Sequence, residues 1–380
     1  MSAVYFDHNA SSPLDVRVLE AMMPYLASGN ASSRHSFGRR AREAVDTARQ
    51  QVAQSLGAHP TQLVFTSGGT EADNIGLLGI GANLKPSQIV VSAVEHPAVM
   101  RSAEAMRRQG WALRKVGVDA DGLVRLDDFS AALEAPTGLV SVMMANNETG
   151  VVQDIATFAE LAKQRKAVFH TDAVQGLGKM PINFAELNRH GVGALSVSAH
   201  KIGGPQGAGA LLIDKKLDIR AIQFGGGQEK GLRGGSENVA AIVGFGAACS
   251  LFNVAQNAQY THQLREVLEQ GVVDLGGVIF GGGVKRLSNT SFFAFSDMDG
   301  ETLVVALDRA GYAVASGSAC SSDSTEPSPV LLAMGVMPEL AQGAVRVSLS
   351  HSNTMQEVQD FLKALSQALN RMQQLTAIAA

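Results

Sequence analysis

From about residue 60 the chain falls into short apolar runs separated by glycine-bearing turns and amphipathic stretches. QLVFTS (62–67), QIVVSA (88–93), GLVSVMM (138–144), AVFHTD (167–172), GALSVSAH (193–200) and GAGALLI (207–213) read as strands. Several are apolar on both faces, as strands between two helical layers should be. Helices are predicted after GGTEADN, from Pro97, and after NNETG. This alternation predicts an α/β fold built on a mainly parallel, doubly wound sheet. Beyond about residue 255 the texture changes. A polar helical pattern (256–270), RLSNTSFFAF, a helix at 300–311, a cysteine-bearing loop and AVRVSLS before a final helix predict a smaller α+β domain. The expected division is a large domain over 15–255 and a small one over 256–380 that also takes in residues 1–14, although no linker marks it.

Composition narrows the function classes. The 380 residues are 46% hydrophobic and 17% charged, which suits a soluble globular protein with an ample core. A net charge of −4 with no block of like charges argues against nucleic acid or an anionic membrane as the main partner. Two cysteines cannot form a disulfide framework, which favours a reducing compartment. The N-terminus, MSAVYFDHNASSPLD, shows no basic-then-apolar run. The longest uncharged apolar run, VAAIVGFGAACSLF (239–252), falls short of the roughly 20 residues a bilayer requires and reads as a buried helix beginning near Ser236 or Asn238. A cytoplasmic protein is expected.

The chemistry gathers where the strands end. SGGTEADN, EHP, NNETG, TDAVQ and SAHK follow five successive strands, and ligands of open α/β sheets sit beyond those carboxyl ends. SGGT (67–70) opens a helix with free backbone N–H groups, a natural phosphate site, although alone it reads as a glycine turn with a threonine cap. It fits neither G-x-G-x-x-G nor G-x-x-x-x-G-K-[ST]. Lys201 follows an apolar strand, where a lysine is expensive unless paired or used covalently. Asp172 ends another strand 29 residues earlier. A lysine for a Schiff base and an acid for a pyridinium nitrogen are the pair that pyridoxal 5′-phosphate (PLP) requires. No metal-ligand set stands out.

Taken together, SVSAHKIGGPQGAG, TDAVQ, SGGTEADN, EHPAV, NNETG, GNASSRHSFGR and GSACSSDSTEPSPVL resemble the cysteine desulfurases of the class V aminotransferase-like, fold type I PLP enzymes. The resemblance runs in order from DHNASSP (7–13) to AVRVSLS (344–350), and is closest to the iron–sulfur and nitrogen-fixation group. It implies a seven-stranded sheet in the large domain and a homodimer. By the same resemblance, Lys201 carries PLP, Asp172 pairs with its ring nitrogen, Gln175 bonds the ring hydroxyl, and His96 stacks on the ring and moves protons. Gly69, Thr70, Ser198 and His200 would hold the phosphate. Asn147 would touch cofactor and substrate, and Arg346 would grip the substrate carboxylate with a planar fork.

GGGQEKGLRGGSENV (225–239) matches the segment that reaches the neighbouring subunit's cofactor, with Ser236 where relatives carry Thr and Gln228 where some carry His. Cys320, on a loop of glycine and serine, would be the nucleophile that takes sulfur from L-cysteine as a persulfide and passes it to an acceptor or iron–sulfur scaffold protein. Asp323 is an acid beside that thiol, and RMQQLTAIAA lacks the ending by which some relatives dock a scaffold. Cys249, inside the apolar helix, reads as structural. Rival readings are selenocysteine lyase, cysteine-sulfinate desulfinase or an aminotransferase on the same scaffold, a non-catalytic sulfur-carrier-binding subunit, and a nicotinamide dehydrogenase, which the missing glycine fingerprint disfavours.

Overall fold

The computed structural model of the chain describes residues 3–317 and 326–379. A short strand β1 (Val4–Tyr5) precedes the central sheet of β2 (Leu63–Thr66), β3 (Gln88–Ser92), β4 (Ala112–Val116), β5 (Thr137–Ser141), β6 (Val168–Asp172), β7 (Val192–Ser198) and β8 (Gly209–Ile213). Their spatial order is β2-β8-β7-β6-β5-β3-β4. Strands β3 to β7 run parallel, while β8 is antiparallel to both β7 and β2. The turn from β7 to β8 contains no crossover helix long enough to return the chain to the starting edge, so β8 runs back along β7. A mainly parallel seven-stranded sheet is therefore present as expected.

Six of these strands were legible as apolar runs, and β4 was not. ALRKV sits at the sheet edge, paired with β3 alone, and Ala112, Arg114 and Lys115 face water. An edge strand needs no second apolar face, so the periodicity signal vanishes. Elsewhere neighbouring residues alternate between the two layers. Phe65, Val90, Val140, Leu195 and Leu212 join one core with the helices Ser36–Ser55 and Val239–Leu251. Val64, Ile89, Leu139, Ala194 and Leu211 join the opposite one with the helix Pro97–Arg108. Gly246 is what lets Val239–Leu251 seat on Ser36–Ser55, since a Cβ there would lie 2.7 Å from the Ala48 Cα. Cys249 is buried in that contact, and burial pushes its thiol up to about 12, as suits a structural residue. No single helix among the described residues is long and apolar enough to cross a membrane.

The C-terminal region builds an antiparallel sheet from β9 (Val278–Ile279), β10 (Thr290–Ala294), β12 (Ala315–Ser316) and β13 (Val345–Ser348) in the order β12-β13-β10-β9. Strand β11 (Tyr312–Ala313) pairs in parallel with β1. Phe6, Leu264, Phe293, Leu303, Val347 and Phe361 form a core of their own there. The consequence for the site is positional. Pairing of β1 with β11 and a bridge from Asp7 to Ser348 bring DHNASSP against the strand that carries Arg346.

Candidate active site

Parallel strands β5, β6 and β7 deliver their carboxyl ends side by side, with Asp172 opposite Ser196 in the register. Because β8 is antiparallel to both neighbours, Ser198 and Thr66 both pair with Gly209, which brings the start of the helix Gly69–Asn74 beside the end of β7. No side chain caps that helix. Gly69 is required by close approach, since a Cβ there would meet Val174 Cγ2 at 2.6 Å. The backbone N–H groups of Gly69 and Thr70 thus lie beside Ser198 at a helix start that no side chain caps.

Asp172 is buried and accepts the Val174 N–H at 2.9 Å. Burial raises its pKa, opposed by the proximity of His96, the Val174 N–H and the charge of Lys201. His96 caps the helix Pro97–Arg108, its Nδ1 accepting the Ala98 N–H at 3.1 Å. Burial lowers its pKa, so the ring is neutral and carries its proton on Nε2. Side-chain nitrogen and carboxylate oxygen atoms of Asp73, His96 and Asp172 lie within 4.8 Å of one another. His200 is also held neutral, its pKa lowered to about 4 by burial and then by Lys201 and Lys179, and its Nδ1 lies 3.2 Å from Ser11 Oγ. Ser198 is fully buried.

Lys201 ends the short turn after β7 and donates to the carbonyls of Asn9 at 2.6 Å and Ala10 at 2.8 Å. Gln175 donates to the same Asn9 carbonyl at 3.0 Å. Lys179, four residues on, donates to Gln175 Oε1 at 2.6 Å and Asn9 Oδ1 at 2.7 Å. Burial and the charges of Lys201 and Arg346 lower its pKa well below the ordinary lysine value. Arg346 donates to the Asn147 carbonyl at 3.0 Å and to Asp7 Oδ1 at 2.7 Å, and its Nε finds no partner among the described residues. A cavity of about 450 Å³ opens beside Lys201, walled also by His8, Lys179, Asn289 and His351. Asp172 and His96 do not line it, so it is distinct from the space above the strand ends.

The structure thus brings together Lys201, Asp172, His96, Gln175, Gly69, Thr70, Ser198, His200, Asn147 and Arg346 on the strand ends and the facing N-terminal segment. Ser236 stands exposed on the glycine-rich loop after Phe224, outside the hydrogen bonds that knit this pocket among the described residues. Cys320 lies outside the described residues, as does Asp323. Their flanks are fixed on both sides. The Gly317 N–H donates to the Ala344 carbonyl at 2.9 Å, and Ser328 donates to the buried carboxyl of Glu148, which burial pushes up to about 7. Asp7, Asn9, Lys179 and Glu148 were not singled out from sequence. A lysine four residues after Gln175 was the available signal, since that spacing lets two side chains meet in a helical turn.

These geometries accord with what the chain is similar to. The aminotransferase class-V family model matches residues 4–361. A cysteine desulfurase IscS of Proteus mirabilis is 40% identical over 388 residues, covering 99% of this chain and 95% of that protein. The chain belongs to the cysteine desulfurases of the class-V aminotransferase family. A cysteine desulfurase of Nostoc sp. is 38% identical with the same coverage. Among solved structures, a NifS-like protein superposes with a TM-score of 0.91 at 35% identity, covering 97% of this chain and 99% of that one. SspA in complex with cysteine superposes at 0.80 with 30% identity over 91% of this chain and 98% of that one.

In this cysteine desulfurase EHP supplies a structural acid as well as His96. Glu95 Oε1 accepts the Ser92 hydroxyl at 2.7 Å and the Met143 N–H at 2.6 Å, stitching the end of β3 to the segment after β5. Burial pushes its carboxyl up to about 8 from an ordinary 4.5. The folded state therefore holds a proton that the unfolded chain has lost, and stability falls as pH rises from about 4.5 to about 8. Glu95→Gln keeps the accepting oxygen and cannot ionise. Denaturant melts at pH 6 and pH 8 should show the variant losing about 2 kcal/mol less than the parent over that interval. An unchanged pH dependence would mean that Glu95 is already ionised in the fold.

Proposed function

We propose that the protein is a PLP-dependent enzyme that converts L-cysteine to L-alanine, with the sulfur held as a persulfide on Cys320 and passed to an acceptor for iron–sulfur assembly or thiolation. The observation that carries this is the convergence of Lys201, a buried Asp172 and a neutral His96 above strand ends, beside a helix start that no side chain caps. This donor set fits the cofactor. A Cβ at Gly68 would meet nothing within 4 Å, so the backbone opens onto free space where a phosphate could sit.

In this reading Gly69, Thr70, Ser198 and His200 bind the phosphate, and Gln175 positions the ring hydroxyl. Asp172 holds a negative charge against the ring nitrogen, and His96 covers the ring. PLP, when bound, supplies the electron sink that makes the substrate's Cα proton removable. Lys201 Nζ takes that proton. Arg346 and Asn147 orient the substrate carboxylate, with the unpaired Arg346 Nε as a ready donor. The Cys320 thiolate attacks the substrate sulfur. The S–S bond forms as the carbon–sulfur bond breaks with its electron pair left on the carbon side, and protonation at Cβ together with return of the Cα proton leaves alanine. Anchors at Gly317 and Ser328 fix the described flanks on either side of Cys320.

A homodimer belongs to the same reading, with Ser236 reaching the other copy's phosphate. Its exposure, and that of Phe37 (73%) and Phe224 (82%), support it. A cytoplasmic setting and a division into 15–255 and 256–380 with 1–14 belong to the same reading. The test is mass spectrometry of the PLP-loaded protein after L-cysteine. One added sulfur is expected on the Cys320 peptide, with matching alanine, and Cys320→Ala should lose both the adduct and sulfur transfer while folding normally. Undiminished cysteine turnover by that variant would defeat the assignment of Cys320.

A further inference from the structure

The sheet face that carries Asp172 also carries a buried polar file that the proposed chemistry does not use. Strand alternation puts Ser141, His170, Asp172 and Ser196 on the same side as Leu139 and Ala194. His170 is fully buried, with Nδ1 at 2.9 Å from Ser141 Oγ and Nε2 at 3.0 Å from Ser196 Oγ. Asp73 descends onto it from the helix Gly69–Asn74, its Oδ1 3.5 Å from His170 Nε2. That oxygen is buried and has no hydrogen-bond partner among the described residues. The helix is shaped for this contact. It widens into a π turn over Ile75–Gly79, a feature that often marks functional sites. Gly76 within that turn rests on the imidazole, where a Cβ would lie 2.9 Å from His170 Cδ2.

The groups facing Asp73 decide its charge. They are Asp172 and His96, with side-chain oxygen and nitrogen atoms within 4.8 Å, together with His170 and Glu95. Burial holds His170 neutral, with a pKa lowered to about 3, and burial of Asp73 itself raises its own pKa well above the carboxylate range, with Asp172 adding to the rise. Two carboxyls this close in a dry site cannot both ionise at neutral pH. Asp172 has the Val174 N–H and the charge of Lys201 to hold it ionised. Asp73 has only the Ser196 hydroxyl to favour its ionised form, and burial outweighs that contact.

We propose that Asp73 is a positioning residue that keeps its proton, a neutral acid packed on His170 beneath Asp172, so that Asp172 carries the one carboxylate charge of this layer. This rests on the reading above, in which that charge faces the cofactor ring. Were Asp73 to ionise, Asp172 would take up a proton and the ring nitrogen would lose its counter-charge.

The test is run first on the protein without coenzyme. Infrared difference spectra at pH 7 between the parent and Asp73→Asn should show the loss of a protonated carboxylic acid carbonyl band. Asp172→Asn should retain that band and lose carboxylate absorption instead. The opposite assignment, with the acid band lost in Asp172→Asn, overturns the proposal. Asp73→Asn should fold as well as the parent, because the amide copies a neutral acid, and a variant that fails to fold also counts against it. Loaded with PLP, Asp73→Asn should titrate in the visible within about 0.3 pH units of the parent, since no charge is removed. A shift of a full unit would show that Asp73 is anionic. If neither protein takes up PLP, the cofactor reading fails while the infrared result still stands or falls alone.

Discussion

Replacing Lys201 with alanine should leave a folded, colourless protein whose turnover of L-cysteine falls by roughly 10⁴-fold or more. The amine is positioned by two carbonyls, Asn9 at 2.6 Å and Ala10 at 2.8 Å, on a segment held in place by the pairing of β1 with β11. Removing it costs little fold stability, because Lys201 itself lines the cavity of about 450 Å³, from which water can replace the ammonium. Nor can the second lysine substitute. Lys179 is bound to Gln175 and Asn9 at 2.6 and 2.7 Å and would have to abandon both. Borohydride reduction of the PLP-loaded parent should fix the coenzyme on the Lys201 peptide, and the variant should acquire no label. Labelling at Lys179 with retained absorbance would move the covalent anchor to that lysine and overturn the assignment.

Arg346→Ala should raise KM for L-cysteine on the order of 10²- to 10³-fold while the protein remains yellow, because two charge-assisted bonds to a carboxylate are lost. The guanidinium sits between Asp7 and Asn147, and it is buried, so no other cation can be recruited from the surface. A structural cost accompanies the kinetic one. Asp7 loses its partner, at about 1–3 kcal/mol, less than for a fully buried pair because its side chain keeps some contact with water. Arg346→Lys separates the two effects. It restores charge opposite Asp7 but not the planar fork, so melting should recover and KM should recover only in part. An unchanged KM in the alanine variant would remove Arg346 from substrate binding.

Much of the site was readable along the chain because chemistry at strand ends is written locally. TDAVQ places Asp172 and Gln175 on one turn, SAHK places Ser198, His200 and Lys201 on another, and SGGT carries its anion end in four residues. What escaped was chemistry assembled across the fold. Asn9 is joined to Lys201, Gln175, Lys179, Asn147, Thr290, Asn289 and Ser348, partners up to 339 residues away. Nothing in an isolated asparagine announces such a hub. Asp73 reads as one more helical acid in GGTEADN, and only the seating of that helix on His170 makes it a buried carboxyl beside Asp172 whose Oδ1 has no partner among the described residues. Glu148 likewise looked like part of a polar turn, until Ser328, 180 residues later, proved to donate to it.

Sequence by itself determined the parallel α/β layering, the positions of the strand ends and the residue types displayed there, because apolar periodicity and turn chemistry act over a few neighbours at a time. Tertiary structure alone decided the edge strand Ala112–Val116, whose polar face hides its periodicity. It also decided the antiparallel setting of β8 that brings Gly69 to Ser198, and the docking of residues 4–10 over Lys201. The protonation of Asp73, Glu95, His96 and His200 belongs to the same class. The reason is common to all: a pKa or a long-range hydrogen bond depends on which groups lose water together, and that is settled only when distant segments close over one another.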